Sequence, residues 1–245
     1  MIKPSEKIKE LSDLIIASST SQEGLMGRNF MTQTDNVSVN QEKFFAGLGI
    51  APDKIMRVVV ANGNRIKIID SPQKMVSGID GIVTDKKGIY FAVLTADCIP
   101  LVIYDCRKKV LAFIHVGWRG VVGSLVKKAI KKMKRSFDCQ TADMSAYLGP
   151  AIEKDCYKQT GWRALIKKRI LFSISGNKEF TLDSGKQISF DIVGAAKKQL
   201  IDSGISGEKI ETSPYCTFCR SDLLPSHLRE GNSRESSMMT VAGIK

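Results

Sequence analysis

Two apolar segments separated by a short polar stretch constrain the fold of this sequence most strongly. Residues 101–104 and 110–116 are rich in β-branched and aromatic side chains, which predicts two strands joined as an antiparallel hairpin. In that hairpin His115 lies nearly opposite Pro100. Cys98 lies a diagonal step from His115, where cross-strand neighbours are about 7–8 Å apart at Cα. The sequence therefore predicts that a thiol and an imidazole are neighbours.

A cysteine beside a histidine has two chemical uses. The pair can bind a soft or borderline metal ion such as zinc, or the imidazole can activate the thiol as a nucleophile. Asp97 is a candidate to orient the imidazole, because a functional histidine usually donates its second ring N–H to a carboxylate or a carbonyl. Alternation along the strand would instead point Asp97 elsewhere. The alternative interpretation is a buried thiol and a core histidine without a chemical role.

The four residues after the second strand favour the functional interpretation. They read Gly-Trp-Arg-Gly and lead into a predicted helix, whose N-terminus attracts anions. This turn places the planar guanidinium of Arg119 at the mouth of any pocket beside His115. We therefore predict a site that combines a thiol, an imidazole and a positive charge.

The rest of the sequence predicts a mixture of strands and helices. Asn62 and Gly63 predict a tight hairpin turn between two of the strands. Residues 1–20 predict a peripheral helical extension with Ser5 as its N-cap. No repeat or linker divides residues 21–245, so we expect a single α+β domain there. Further strands are expected at 56–61, 65–69, 89–94 and 145–148, and helices at 41–48, 123–135 and 191–202.

The composition excludes several classes of protein. No apolar run approaches the roughly 20 residues that cross a bilayer, and the N-terminal residues lack the pattern of a signal peptide. We therefore expect a cytoplasmic protein without membrane contacts. The net charge of +12 is concentrated at 126–135 and 162–169. We interpret these clusters as solvated helix faces rather than a nucleic-acid surface, since aromatic platforms are missing.

The six cysteines are few for a chain of this length. In a reducing compartment they are expected to be buried thiols or metal ligands rather than disulfides. Cys216 and Cys219 form a lone CxxC motif, which without a second ligand pair only weakly indicates a structural metal.

Several motifs resemble those of the laccase-domain proteins, also called the YfiH-like or polyphenol-oxidase family. LTADCIPLVIYD followed by HVGWRG is similar to the family's central motifs. Residues 80–84, 147–157 and 216–231 are similar to its other segments in order and spacing. The resemblance implies a layered α/β/β/α fold with mixed β-sheets, and a purine nucleoside phosphorylase with adenosine deaminase activity. Laccase chemistry itself is excluded, because two histidines cannot hold several copper ions.

The resemblance also implies a zinc ion with three protein ligands. These ligands correspond to Cys98, to His115 and, where the family has a histidine, to Asn62. An amide oxygen is a weak zinc ligand, so the first ligand position has diverged. The preference of Asn-Gly for turns explains Asn62 equally well.

The C-terminal motif has diverged as well. Residues 224–230 keep one arginine of the family's pair, Arg229. We expect Arg119 and Arg229 to clamp phosphate through bidentate hydrogen bonds. His227 is expected to contact phosphate or base, or alternatively to be a surface histidine.

Three functions remain open from the sequence. The first is a zinc enzyme that cleaves adenosine, inosine, guanosine or methylthioadenosine with phosphate, or deaminates adenosine, with Cys98, His115 and Asp97 as catalytic residues. The second is a weakened or inactive relative that binds purines or regulates another protein. The third is a metal-free hydrolase that uses Cys98 and His115. The expected partners are a purine nucleoside and phosphate, and the sequence does not set the oligomeric state.

Overall fold

A computed structural model describes residues 1–31, 34–159, 162–183, 187–231 and 236–245, although not the side chains of 159 and 162–167. The helices are α1 (Asp35–Gly47), α2 (Trp118–Val122), α3 (Leu125–Phe137), α4 (Trp162–Ile174), α5 (Ile192–Asp202) and α6 (His227–Glu230). The strands are β1 (Leu14–Ser18), β2 (Ile55–Val60), β3 (Ile66–Ile68), β4 (Met75–Ile79), β5 (Gly81–Thr84), β6 (Tyr90–Thr95), β7 (Ile99–Asp105), β8 (Val110–Val116), β9 (Met144–Leu148), β10 (Lys158–Gln159), β11 (Thr181–Asp183), β12 (Ile188–Phe190), β13 (Ile210–Thr212) and β14 (Met238–Ile244).

Two large mixed sheets form the centre of the molecule. One has the strand order β1-β14-β6-β2-β4, and the other has the order β13-β9-β7-β8-β5-β3. Parallel pairs occur in both, for example β2 with β6 and β3 with β5. A small third sheet has the order β10-β12-β11. Mixed sheets of this kind need a covering layer on each buried face.

The alternation of side chains along β7 explains how the layers stack. Val102 and Tyr104 pack between the two large sheets, whereas Leu101 and Ile103 pack against α2, α3 and α5 on the opposite face. On the far side of the other sheet, α1 covers the outer face through Phe44 and Phe45, among others. The layers therefore run α/β/β/α, and the predicted fold is confirmed.

The hairpin predicted from residues 101–104 and 110–116 has the predicted register. β7 and β8 pair in antiparallel fashion, and Pro100 lies opposite His115. The lysine-rich helix α3 also matches its interpretation, since its apolar side chains are buried and its lysines point outward. The side chains of 162–167, in the second basic cluster, lie outside the described part.

The predicted N-terminal helix is wrong. Lys9–Asp13 form one 3-10 turn, and the following residues form β1, which pairs with β14 along its whole length. Ser5 caps no helix, and its backbone N–H donates instead to Glu211. Leu14 and Ile16 enter the core between the sheets, while Ala17 packs towards α1. Burial on both faces of a strand outweighs the helical spacing of these apolar residues.

The predicted hairpin at Asn62-Gly63 is also wrong, although both flanking strands exist. β2 and β3 belong to different sheets, so the segment between them crosses from one sheet to the other. The buried carboxylate of Asp80 holds this crossing by accepting hydrogen bonds from the N–H groups of Gly63 and Arg65, at 2.8 and 3.2 Å. Asn62 does adopt the left-handed conformation, with φ 54°. Its residue type is therefore explained by the crossing.

None of the helices that the structure describes has the length and apolar character needed to cross a bilayer.

Candidate functional site

A cleft opens where β7 begins and β8 ends. Its volume is about 390 Å³, which lies within the range for small-molecule sites. The structure brings most of the predicted site residues to this cleft. Those that line it are Asn62, Asp97, Cys98, His115, Arg119 and His227.

Cys98 lies immediately before β7, and Gly117 immediately after β8, so both are at the same end of the hairpin. A Cβ atom on Gly117 would come within 2.8 Å of the Cys98 sulfur. Real Cβ atoms do not approach a neighbour so closely, so the thiol position requires glycine there. The glycine of the Gly-Trp-Arg-Gly turn thus makes room for Cys98.

His115 is buried in the floor of the cleft. Burial lowers the pKa of its imidazole to about 4, and the charge of Asp80 opposes this shift only partly. The ring is therefore neutral near pH 7. Its Nδ1 atom is buried without a hydrogen-bond partner among the described residues. An orphaned buried nitrogen of this kind indicates a partner that is absent from the protein itself, such as a metal ion or a substrate group.

Asp97 has a different position from the one predicted. Its backbone has φ 85°, and its two carboxylate oxygens accept hydrogen bonds from the Thr217 hydroxyl and from the Leu228 N–H, both at 2.7 Å. The prediction that Asp97 orients His115 is therefore wrong. Through these two hydrogen bonds, Asp97 instead holds the C-terminal segment against the rim of the cleft.

The cleft contains a lysine that the sequence did not single out. Lys168 on α4 is 6% exposed, and its Nζ lies 4.9 Å from the ring centroids of Trp118, Tyr157 and Phe190. It donates a hydrogen bond to the Tyr157 hydroxyl at 3.1 Å. Burial, with a further contribution from the charge of Arg119, lowers the pKa of Lys168 to about 8. No local pattern separates this lysine from its neighbours in sequence, since tertiary contacts alone bury it.

Arg119 and Lys168 share one aromatic platform. The Arg119 guanidinium carbon lies 4.6 Å from the centroid of Trp118, whose ring also faces Lys168. Contact between a cation and an aromatic face stabilises positive charge where water is scarce. The cleft therefore presents two cations beside the Cys98–His115 pair.

Arg229 does not line the cleft. Its guanidinium donates to the carbonyls of Thr217, Phe218 and Leu224 at 2.7–2.8 Å, and to the Glu230 carboxylate at 2.5 Å. These bonds commit the guanidinium to the 216–219 turn and to the segment that leads into α6. The prediction that Arg229 clamps phosphate is therefore wrong, whereas His227, at the start of α6, is exposed at the mouth of the cleft.

The cleft supplies two strong metal donors. Among the residues that the structure describes, no third cysteine, histidine or carboxylate joins Cys98 and His115 in a ligand group. Asn62 lines the same cleft and offers an amide. A different group does contain three potential ligands: Cys156 joins Cys216 and Cys219. The CxxC motif thus has a partner that sequence spacing could not reveal, because Cys156 is distant along the chain.

Comparison with known proteins gives one family for nearly the whole chain. A family model described as "Multi-copper polyphenol oxidoreductase laccase" matches residues 19–245. Purine nucleoside phosphorylase YlmD of Bacillus subtilis is 30% identical over 166 residues, which are 68% of this chain and 59% of that protein. Adenosine deaminase RL5, from an unknown prokaryotic organism, is 31% identical over 152 residues, or 62% of this chain and 57% of that protein. The matches thus span less than two thirds of these two relatives.

Solved structures share the fold. The hypothetical protein YfiH of Bacillus licheniformis superposes with a TM-score of 0.86 at 22% identity, covering 97% of this chain and 95% of that chain. YlmD of Geobacillus stearothermophilus superposes with a TM-score of 0.85 at 20% identity, covering 96% of this chain and 93% of that chain.

Proposed function

Because this chain belongs to the multi-copper polyphenol oxidoreductase laccase family, we propose that it is a purine nucleoside phosphorylase. Its relatives include proteins named for that activity. The observation that carries the proposal is the content of one cleft: a thiol, a neutral imidazole with an orphaned Nδ1, and two cations on an aromatic platform. The substrates are a purine nucleoside and phosphate. We expect the protein to act in the cytoplasm, where its cysteines, none of which forms a disulfide, stay reduced.

The two cations suit phosphate. The Arg119 guanidinium is a planar fork that can bind two phosphate oxygens at once, and the Lys168 ammonium adds a compact charge beside it. In phosphorolysis a phosphate oxygen forms a bond to C1′ of the ribose while the bond from C1′ to the purine breaks. The electron pair of that bond leaves with the purine, which takes up a proton. Lys168, with a pKa of about 8, is mostly protonated at neutral pH and can donate that proton.

His115, unlike Lys168, does not act as a proton donor. Since its pKa is about 4, its imidazole carries no excess proton near pH 7 and acts as a ligand or as a hydrogen-bond acceptor. The aromatic rings of Trp118 and Tyr157 line the cleft and hold its two cations. Asp97 positions the segment that carries His227 by accepting a hydrogen bond from the Leu228 N–H.

Zinc fits two of the three positions that the family resemblance assigns. The Cys98 sulfur and a ring nitrogen of His115 are suitable donors, and the Asn62 amide is a weak third. When bound, zinc would supply a Lewis acid that polarises a water molecule or a substrate oxygen. Deamination of adenosine is therefore a second candidate activity, which the similarity to a protein named adenosine deaminase favours.

The test is an assay of base release from inosine and adenosine, with and without phosphate. We expect free base to form only with phosphate, and inosine to form from adenosine if deamination occurs. Arg119→Ala is expected to lower kcat/KM for phosphate by about tenfold or more, because one charge-assisted contact is lost. Arg135→Ala, on the exposed face of α3, is the matched control and should leave the rates unchanged. No phosphate-dependent release, together with nucleoside binding by calorimetry, would instead identify a purine-binding relative.

A further inference from the structure

Three cysteine thiols from two distant segments of the chain lie close together, at a place separate from Cys98 and His115. The sulfur atoms of Cys156, Cys216 and Cys219 all lie within 4.8 Å of one another, and those of Cys156 and Cys219 are 3.0 Å apart. Cys216 is buried, Cys156 is half-buried and Cys219 is exposed. The group is therefore anchored in the protein on one side and accessible from solvent on the other.

The backbone holds these sulfurs close together without a disulfide. Ala151, in the segment that leads to Cys156, forms a parallel bridge with Cys216, and the Thr217 N–H donates to the Ala151 carbonyl at 3.1 Å. The Arg220 N–H closes the CxxC turn by donating to the Cys216 carbonyl at 3.1 Å. The site is thus organised before a ligand arrives, which reduces the entropy lost on binding.

Arg229 supports the same turn. Its guanidinium binds the carbonyls of Thr217 and Phe218, the two residues between Cys216 and Cys219. This arrangement explains why Arg229 is unavailable to the cleft. The guanidinium is also paired with the Glu230 carboxylate, so this charge on the turn is balanced.

We propose that Cys156, Cys216 and Cys219 bind a zinc ion as three thiolates, with solvent at the fourth position. Zinc–sulfur bonds of about 2.3 Å in a tetrahedron place sulfurs about 3.8 Å apart, a spacing that small side-chain rotations provide here. A disulfide would join two of the sulfurs and leave the third without a role. Binding releases three protons and transfers no electrons. The bound ion and its thiolates carry one net negative charge.

Metal binding at these thiols would stiffen the cleft. Cys156 precedes Tyr157, which lines the cleft, and Thr217 binds Asp97 at the rim. Burial, followed by contacts with Cys219 and Cys216, raises the pKa of Cys156 to about 12. Zinc binds the thiolate form of cysteine, so binding must displace the Cys156 proton.

The test is the zinc content of the full chain, purified with reductant and without chelator, and measured by mass spectrometry of the metal. We expect Cys219→Ser to lose one equivalent of zinc, and Cys156→Ser to do the same. Cys98→Ser, in the cleft, and Cys106→Ser, a half-buried thiol elsewhere, should keep it. Because Cys219 is exposed, its variant should fold even if Cys156→Ser does not.

A second measurement uses cobalt in place of zinc. Thiolate-to-cobalt absorption should have the intensity of three sulfur ligands, and should decrease in Cys219→Ser but persist in Cys98→Ser. The proposal is overturned if zinc is lost from Cys98→Ser and kept by Cys219→Ser, since all of the metal would then reside in the cleft. A wild-type chain without zinc under these conditions would overturn it equally.

Discussion

At the scale of single residues, Asn62 occupies the position where the proposed metal site of the cleft lacks a strong third donor. We expect Asn62→His to raise the zinc affinity of the cleft by at least about tenfold, because an imidazole replaces a weak amide donor. Histidine is among the residues that tolerate the left-handed conformation found here, with φ 54°, so the backbone should not change. The affinity is measured by competition with a coloured chelator in the Cys219→Ser background, where the cysteine group does not compete.

Ala61→His is the matched control for this substitution. It adds the same imidazole one residue away, at an exposed position that does not line the cleft. Equal affinities in the two histidine variants would mean that position 62 does not face Cys98 and His115.

A strand register allowed the sequence to predict the positions of two site residues. The positions of Cys98 and His115 follow from the local pairing of two adjacent strands, so their presence in one cleft could be predicted. Lys168 could not, because its burial depends on aromatic rings from other segments. The family motif and the guanidinium group predict a phosphate contact for Arg229, and nothing local indicates that backbone carbonyls occupy its guanidinium.

At the scale of elements, the junction between β8 and α2 fixes the position of the Cys98 thiol. Gly117 has φ −94°, which alanine adopts without strain, so Gly117→Ala tests contact alone. The new methyl group would meet the Cys98 sulfur at 2.8 Å and turn the thiol away. We expect unfolding free energy to fall by only about 1 kcal/mol, while phosphorolysis falls by about a hundredfold.

Stability by thermal unfolding and activity by base release are measured on the same Gly117→Ala preparation. Gly207→Ala serves as the control, because a Cβ atom there meets nothing within 4 Å. Full activity in Gly117→Ala would show that the thiol position has no part in the reaction.

Local and distant pairing also explain which elements could be predicted. The β7–β8 hairpin needs only a short connection, and its register follows from the apolar pattern. β1 finds its partner at the other end of the sequence, and β2 and β3 separate into two sheets. The apolar pattern of a segment shows which of its residues are apolar, but it does not show which strand pairs with that segment.

At the scale of the whole molecule, the buried Lys168 makes folding stability depend on pH. Its pKa is about 8 in the folded protein, against 10.5 for an ordinary lysine. Between these values the unfolded chain binds the proton and the folded protein does not, so stability increases as pH rises. The free-energy cost of burying the charged Lys168 is fully present below about pH 8 and has disappeared by about pH 10.5.

Lys168→Met removes this dependence. We expect the stability advantage of the variant over the wild type to shrink by about 2 kcal/mol between about pH 7.5 and pH 10. Urea unfolding across this range, with reductant, measures it. Lys197→Met, at an exposed position on α5, should show no such change. A constant difference between Lys168→Met and the wild type would mean that Lys168 is charged and well solvated in the folded protein.

The position of β14 has a consequence for how the protein is made. β14 lies between β1 and β6, and Ser18 on β1 bonds to Thr240 on β14, 222 residues later. While the ribosome is still translating the middle of the message, β1 lacks the strand that pairs with it along its whole length, and that edge is exposed. The sheet closes only after β14 leaves the exit tunnel. Nascent chains that stall before this point should therefore depend on chaperones in a way that the finished protein does not.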